Sequence, residues 1–308
     1  MLYRQRIRSK MVLELINFSQ VKDGMLEESN WDNISKSKYS NYIAEPKFDG
    51  VRVLAQKMDG IIKIHRGLDN IKNDQFPEVL KQLSDMPDNT MYDGELCILN
   101  NSSDELLSAD FSAIQKRILL KEPRKIDFLS AKNPATLVVF DCLIKNGVDI
   151  RGKPLLQRKQ EIENCIKTLE YKPDELLQMI QKNDMEGIVI KDPNGIGNKS
   201  WVKFKNWIEA TYKVIGTNSL SQNISSLELE NLQGIAVGKV NYQFNEPELQ
   251  TDQIKQKLIG SLVEVRSMFT SKGKVRFPSL QKKDTLVKFL KGRNQEDFSR
   301  KSVQEILQ

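Results

Sequence analysis

The chain has 308 residues, 39% hydrophobic and 29% charged, and contains no 18-residue apolar run; that suits two domains or one large one and excludes a membrane-spanning helix. Its 47 basic and 41 acidic side chains leave a formal charge of +6, too mild by itself to indicate a nucleic-acid partner. One histidine (His65) and three scattered cysteines (Cys97, Cys142, Cys165) without a Cys-x-x-Cys pair argue against a structural zinc site and fit a reducing, intracellular compartment.

Catalysis in such a chain falls to lysines, carboxylates and a metal. The first ten residues carry Arg4, Arg6, Arg8 and Lys10 with no acid before Glu14. This is the composition of the head of an organellar transit segment, on a stretch short for one, and Met11 is an alternative start. Residues 11–40 read as loop and helix, with Trp31 anchoring them to the main domain. Next comes Glu45-Pro46-Lys47-Phe48-Asp49-Gly50, preceded by the apolar Tyr42-Ile43-Ala44. Behind it, Val51–Ala55, Asp59-Gly60 and Ile61–Ile64 form two alternating stretches around a two-residue turn, a hairpin signal. Lys47 then sits on a tight loop at the mouth of a sheet. Phe76-Pro77-Glu78 opens a helix to about Met86, and Met91–Leu99 is a strand carrying Asp93-Gly94-Glu95. A helix near 108–121 follows, then a polar, proline-containing stretch at 122–135.

Leu137–Asp141 is a continuous apolar run ending in an acid, a buried strand delivering a carboxylate to a rim. Leu155–Tyr171 reads as an amphipathic helix with Arg158 and Lys159 near its start and Cys165 on its core face beside Ile162, Ile166 and Leu169. Pro173 begins another helix, to about Asn183. Glu186–Lys191 and Trp201–Lys205 are short strands offering lysines on one face, with a loop, Asp192–Ser200, between them. From about 211 short strands dominate (211–217, 232–240, 261–268), with a helix near 250–258 and helices after 281, which suggests a small oligonucleotide-binding (OB) barrel. The expected division is an N-terminal extension at 1–40 packing on the core, a first domain at 41–209 and a second at 210–308. The charge is uneven: residues 41–210 carry 25 basic and 26 acidic side chains, residues 211–308 carry 15 and 10. Within the latter, 265–293 holds nine Lys/Arg and one acid, Asp284, either a solvated face or a phosphate-facing patch.

The first domain thus places Lys47, Asp49, Arg52, Arg66, Glu95, Phe140, Asp141, Glu186, Lys191, Lys203 and Lys205 at or beside strand ends. Nucleotidyl transfer to a lysine wants such a set. A lysine amine is only about one part in two thousand deprotonated at pH 7, and neighbouring cations disfavour its charged form and make it a nucleophile. The same cations neutralise charge on the attacked phosphorus. Glu95 and Glu186 suit a hard divalent cation that keeps several waters, and Phe140 suits a stacked purine. Singly, each has a plain structural alternative: salt-bridge partners, a core phenylalanine, an ordinary amphipathic strand.

As an ordered set, Glu45–Gly50 with Arg52, His65-Arg66-Gly67, Asp93-Gly94-Glu95, Val139-Phe140-Asp141, Glu186–Lys191, Trp201–Lys205 and Arg276-Phe277-Pro278 resembles the motifs of ATP-dependent DNA ligases, over roughly residues 40–293. The resemblance implies an α+β fold: a nucleotidyltransferase (adenylation) domain with antiparallel sheets and flanking helices, followed by an OB-fold β-barrel domain. It implies that Lys47 becomes adenylylated and that the nucleotide meets Glu45, Arg52, Arg66, Glu95, Phe140, Lys191, Lys203 and Lys205. Glu95 and Glu186 would bind metal, with ATP and Mg²⁺ (or Mn²⁺) as cofactors. Nicked duplex DNA would be the partner of a monomer, met in the second domain by Lys272, Lys274, Arg276, Lys282 and Lys283. Two departures stand out. The family's last motif usually ends arginine-x-Asp-Lys, whereas here it reads Lys282-Lys283-Asp284-Thr285, without arginine's bidentate fork. Only about 40 residues precede the core, so a compact two-domain form is expected.

An mRNA capping guanylyltransferase shares the lysine motif and the barrel, but Glu186-Gly187 and Trp201–Lys205 favour a ligase. An RNA-joining enzyme differs in the sugar it tolerates. A nucleic-acid-binding barrel protein with a decayed transferase domain is the non-enzymatic reading, opposed by the intact Lys47, Glu95, Glu186 and Lys205.

Overall fold

A computed structural model describes residues 26–28, 39–66, 69–71, 73–100, 109–182, 185–197, 200–220, 223–269 and 273–291. Trp31, Gly67 and Lys272 lie outside them, as does nearly all of the N-terminal extension. The chain divides into two compact units between Asn206 and Trp207.

The first unit opens with β1 (Leu26–Glu28), inside the stretch read as loop and helix. It continues with β2 (Ile43–Pro46), β3 (Val51–Met58), β4 (Ile61–Arg66) and β5 (Asp69–Ile71). Asp59 and Gly60, between β3 and β4, have φ of 51° and 78°, the two left-handed residues of a type I′ turn, and Met58 pairs with Ile61. The Asp-Gly hairpin is therefore present in its expected register. After α1 (Pro77–Gln82) come β6 (Thr90–Ile98), α2 (Phe111–Leu119), α3 (Pro123–Lys132), β7 (Ala135–Lys145), β8 (Val148–Asp149), α4 (Leu155–Gln160), β9 (Ile166–Lys167), α5 (Pro173–Lys182), β10 (Gly187–Lys191) and β11 (Trp201–Lys205).

These strands make two sheets. One runs β5-β4-β3-β6-β7-β8, with β9 parallel to β7; the other runs β1-β11-β10-β2, with β1 parallel to β11. All remaining pairs are antiparallel. Because strand side chains alternate, each sheet buries one face and offers the other. Val51, Val53, Ala55, Leu96, Leu137 and Val139 pack on α1 residues such as Val79. Ala44, Ile188, Ile190, Val202 and Phe204 pack on Leu176 and Ile180 of α5. The opposite faces carry Arg52, Asp93 and Glu95 on one sheet, and Glu45, Lys191, Trp201, Lys203 and Lys205 on the other.

Three sequence-based expectations change here. The polar stretch 122–135 holds a helix, α3, because Pro123 sits at its first position, where no amide donor is needed, and Ile126 turns into the core. The helix expected over Leu155–Tyr171 stops at Gln160: Asn164 takes a left-handed φ of 53°, and the Glu163 amide donates to the Tyr92 hydroxyl at 3.0 Å. Ile162 is buried and Cys165 packs half-buried on the core, but Ile166 and Leu169 are 45% and 61% exposed, so helical spacing misplaced them. Asp141 does not reach an open rim and is buried.

The second unit comprises β12 (Ile208–Leu220), β13 (Asn223–Glu230), β14 (Ala236–Asn241), α6 (Asp252–Leu258), β15 (Leu262–Phe269), β16 (Val275–Leu280) and α7 (Lys283–Leu290). The order is β14-β13-β12-β15-β16, antiparallel throughout. Gly238 of β14 has φ of 137°, and a Cβ there would lie 2.9 Å from Val275 Cγ2 of β16, so the sheet curls until its first and last strands meet. Five strands in this order with a helix between the third and fourth form an OB-fold. Its core includes Val214, Leu227, Leu229, Val240, Val265 and Leu280. The strand expected over 232–240 is present but begins at Ala236, after a turn at 231–235 with Gly234 at φ 77°. β13 and β16 were not foreseen, since one is mostly polar and the other contains Pro278. No helix of the described residues is long and apolar enough to cross a membrane.

Candidate active site

Lys47 lies where the chain leaves one sheet for the other, directly after β2 and before β3. Its amide donates to the Gly187 carbonyl at 2.9 Å, and its Nζ meets Glu186 Oε1 at 2.5 Å. Two glycines make this approach possible. A Cβ on Gly50 would lie 2.5 Å from the Leu96 carbonyl oxygen, and one on Gly187 (φ 151°) 2.0 Å from that of Phe204. Either would push backbone off backbone.

On the seven-stranded sheet, Arg52 grips Asp93 with a fork, Nε to Oδ1 at 3.0 Å and Nη2 to Oδ2 at 2.5 Å. Glu95 is the cross-strand partner of Arg52 on the same face. Burial pushes the Glu95 carboxyl up to about 8; Lys47 and Arg52 oppose the shift, and Glu186 and Asp93 add to it. Phe140 falls where the β6–β7 register shifts, a bulge that turns its side chain toward the other sheet. Its ring stands edge-on to Trp201 at 5.7 Å between centroids, with the Arg52 guanidinium 5.6 Å and Lys191 Nζ 4.6 Å from its centre. Lys203 and Lys205 stand half-buried on β11, on the face that also carries Trp201. Arg66 ends β4 with its side chain exposed.

Two residues expected to meet the nucleotide, Glu45 and Lys191, also bond to each other. Lys191 Nζ lies 3.8 Å from the Trp201 ring centre and donates to Glu45 Oε2 at 2.5 Å; both residues are buried. Burial pushes Lys191 below the usual lysine range. Burial acts to raise Glu45 as well, but Lys191 and Lys159 together hold it below the usual carboxylate range. Glu45 and Lys191 thus form a buried ion pair on the sheet face that also carries Lys203 and Lys205.

In the sequence Arg158 and Lys159 are only a basic pair near a helix start, with no role at the site, yet α4 buries them completely or nearly so. Arg158 forks onto Asp141, with Nε to Oδ1 and Nη2 to Oδ2 both at 2.8 Å, and also donates to the carbonyls of Lys153 and Gly195 at 2.6 and 3.2 Å. Lys159 donates to Glu45, to Thr168 Oγ1 at 3.2 Å, and pairs with Glu170 at 3.0 Å. A basic pair at a helix start normally signals solvent, so only the matching buried acids, Glu45 and Asp141, betrayed it.

A family profile for the ATP-dependent DNA ligase domain matches residues 28–205, more than half of the chain. The chain belongs to the ATP-dependent DNA ligase family. This ligase is 28% identical over 267 residues to the SPbeta prophage-derived DNA ligase-like protein LigB of Bacillus subtilis, an alignment covering 78% of this chain and 92% of that one. It is 30% identical over 184 residues to a probable DNA ligase of Dictyoglomus turgidum, covering 52% of this chain and 30% of that protein. Some relatives are therefore about three times longer than the part shared. Among solved structures, a Lig E DNA ligase aligns with a TM-score of 0.58 at 18% identity, over 84% of this chain and 98% of its own. A mycobacterial DNA ligase D, complexed with ATP and MES, aligns with a TM-score of 0.51 at 19% identity, over 86% and 96%. Both likenesses show the fold.

Among the described residues of the ligase, no three Asp, Glu, His or Cys side chains gather closely enough to cage a metal. Glu95 and Glu186, both near Lys47, still fit Mg²⁺, which takes one or two carboxylates and completes its shell with phosphate and water. The raised pKa of Glu95 also couples folding to pH: the folded ligase holds a proton between about 4.5 and about 8 that the unfolded chain has released. Metal-free stability should fall as pH rises through that window, by on the order of a few kcal/mol. Urea midpoints in chelator at pH 5.5 and 8.5 should show the drop in the wild type and lose most of it in Glu95→Gln. An equal slope in both proteins would remove Glu95 as its source.

Proposed function

We propose that this ligase seals 5′-phosphate/3′-hydroxyl nicks in duplex DNA through a covalent lysyl-AMP. The observation that carries the reading is Lys47 at the crossing between two sheets, its Nζ on Glu186 and the face bearing Lys203 and Lys205 beside it. Lys47 Nζ attacks the α-phosphorus of ATP, a P–N bond forms, and the bond to pyrophosphate breaks. Glu186, at 2.5 Å, is placed to receive the ammonium proton. Lys203 and Lys205 offset the charge that builds on the α-phosphate. Phe140 provides the ring for adenine, and the paired Glu45 and Lys191 meet the nucleotide beside it. Arg52 and Arg66 meet the nucleotide or the 5′-phosphate of the nick. AMP passes to that phosphate, and the 3′-hydroxyl then displaces it to close the strand. Glu95 and Glu186 would hold Mg²⁺ or Mn²⁺; when bound, the cation supplies charge neutralisation at the phosphates. The free cysteines, two of them buried, fit a reducing compartment.

Incubation with Mg²⁺ and α-labelled ATP or GTP, followed by a denaturing gel, tests this directly. Label from ATP that chases onto a nicked duplex is expected. Label from GTP would support a capping enzyme instead, and label that chases only onto RNA would support an RNA ligase.

For the second unit, we assign the basic segment around Lys274, Arg276, Lys282 and Lys283 to the DNA backbone. Lys274 donates to the Ala236 carbonyl, Lys282 pairs with Glu264 at 2.5 Å, and Lys283 donates to Gln243 at 2.8 Å, so these side chains exchange protein partners for phosphate on binding. Neutralising Lys272, Lys274 and Lys283 together should weaken nick binding and flatten its log–log salt slope by about 0.9 for each phosphate no longer neutralised. An unchanged slope would make the segment a solvated face.

A further inference from the structure

The family motifs account for Lys47, Phe140 and the residues around them, but not for the two adjacent cations of α4. Arg158 and Lys159 follow one another on a six-residue helix, and each pairs with a carboxylate from a different sheet. Arg158 holds Asp141, the residue after Phe140, on the seven-stranded sheet. Lys159 holds Glu45, two residues before Lys47, on the four-stranded sheet. One helical turn thus pins the stacking ring and the nucleophile through their neighbours in the chain. Glu45, Asp141, Arg158, Lys159 and Lys191 are all buried. Ion pairs so deep give little stability, because desolvation consumes most of their attraction; apolar residues of the same volume often do as well. What such pairs do supply is geometry, since a buried charge tolerates few positions relative to its partner.

We propose that Arg158 and Lys159 are positioning residues that hold the two sheets at the separation Lys47 needs to reach the α-phosphate of a nucleotide stacked on Phe140. The proposal rests on the ligase reading above. Neither residue touches the reacting atoms. Each acts through the strand that its carboxylate partner belongs to. The Arg158 contact to the Gly195 carbonyl extends the same grip to the loop between β10 and β11, which leads into the strand carrying the two phosphate-facing lysines.

The test separates binding from reaction in the full-length chain. Lys159→Met should slow lysyl-AMP formation at saturating ATP at least about thirty-fold, the scale of a sub-ångström to one-ångström misplacement of reacting groups. Affinity for α,β-methylene-ATP, which occupies the site without reacting, should change less than about three-fold, because base and phosphate contacts survive. Lys159→Arg, which keeps charge and reach, should recover the rate to within about five-fold. An unchanged rate in folded Lys159→Met would overturn the proposal, and so would a loss of analogue affinity in proportion to the loss of rate. If Lys159→Met does not fold, Arg158→Lys carries the test: it keeps the charge and loses the fork, so a rate lowered about ten-fold with affinity kept supports the proposal, and an unchanged rate refutes it. Wild-type protein run alongside keeps the two readings apart. Absence of any label in the wild type would count against the ligase reading; normal wild-type label with normal variants counts against the positioning role alone.

Discussion

Lys47→Ala should abolish covalent AMP, lowering ATP-dependent sealing by at least about 10⁴-fold, as expected when a nucleophile is removed outright. The fold should survive. Lys47 is partly exposed, but its partner Glu186 has a side chain only 8% exposed and is left beside Glu95 when the amine is removed. Loss of the pair should therefore lower the melting temperature measurably, in keeping with a cost of about 1–3 kcal/mol for a poorly solvated carboxylate left without its partner. A nick that already carries AMP on its 5′-phosphate no longer needs the amine, and the variant should still close it at a measurable rate. The comparison is decisive because it splits one residue's role between steps. If Lys47→Ala still took up label, another lysine would be the nucleophile. If it failed equally on the pre-adenylylated nick, Lys47 would serve the binding of the nucleotide in general.

Gly50→Ala should be the next most damaging single change, although it adds one methyl group three residues away from the amine. That methyl would lie 2.5 Å from the Leu96 carbonyl oxygen and 2.9 Å from Glu95 Cγ, and neither the β6 backbone nor the half-buried Glu95 can retreat cheaply. The loop must lift from the sheet instead, carrying Lys47 with it. A displacement near 1 Å costs about 10²-fold in rate when reacting groups must align, and overpacking adds about 1–3 kcal/mol of destabilisation. Gly152→Ala makes a clean control, since a Cβ there meets nothing within 4 Å. It should be neutral or stabilise by up to about 1 kcal/mol by restricting the unfolded chain. Adenylylation by Gly50→Ala within about three-fold of the wild type would show that the loop is more compliant than its packing suggests.

Local chemistry carried much of this architecture into the sequence. Asp59-Gly60 marked its hairpin because few residues tolerate two left-handed positions in a row, and Trp201–Lys205 marked its strand by alternation alone. Where a segment's fate depended on distant partners, reading failed. Leu155–Tyr171 has helical spacing, but Asn164 and the Tyr92 hydroxyl, which lies 71 residues from Glu163, decide otherwise. The Asn223–Glu230 strand shows mostly polar residues, because half of it faces outward and its burial is set by the strands on either side of it, β12 and β14. The site divides in the same way. Lys47, Glu186 and Lys203 stand in motifs, whereas Arg158 and Lys159 look like any surface pair until their carboxylates are placed in space. Glu45 and Lys191 were recognised as residues of the site, but only coordinates reveal that they bond to each other.

The crossing at Lys47 also bears on how the protein is made. The amine's partner Glu186 is 139 residues further along, and Glu45 waits for Lys191 across 146. Among the described residues β2 pairs with β10, apart from a single bridge from Ala44 to Tyr171, and β10 in turn pairs with β11. A chain emerging from the ribosome therefore displays its Lys-x-Asp-Gly segment long before that segment has a sheet to belong to. Pairings of such sequence separation form late and slowly. Until β11 has been synthesised and docked, Lys47 has no complete sheet beside it and lacks the face that carries Lys203 and Lys205.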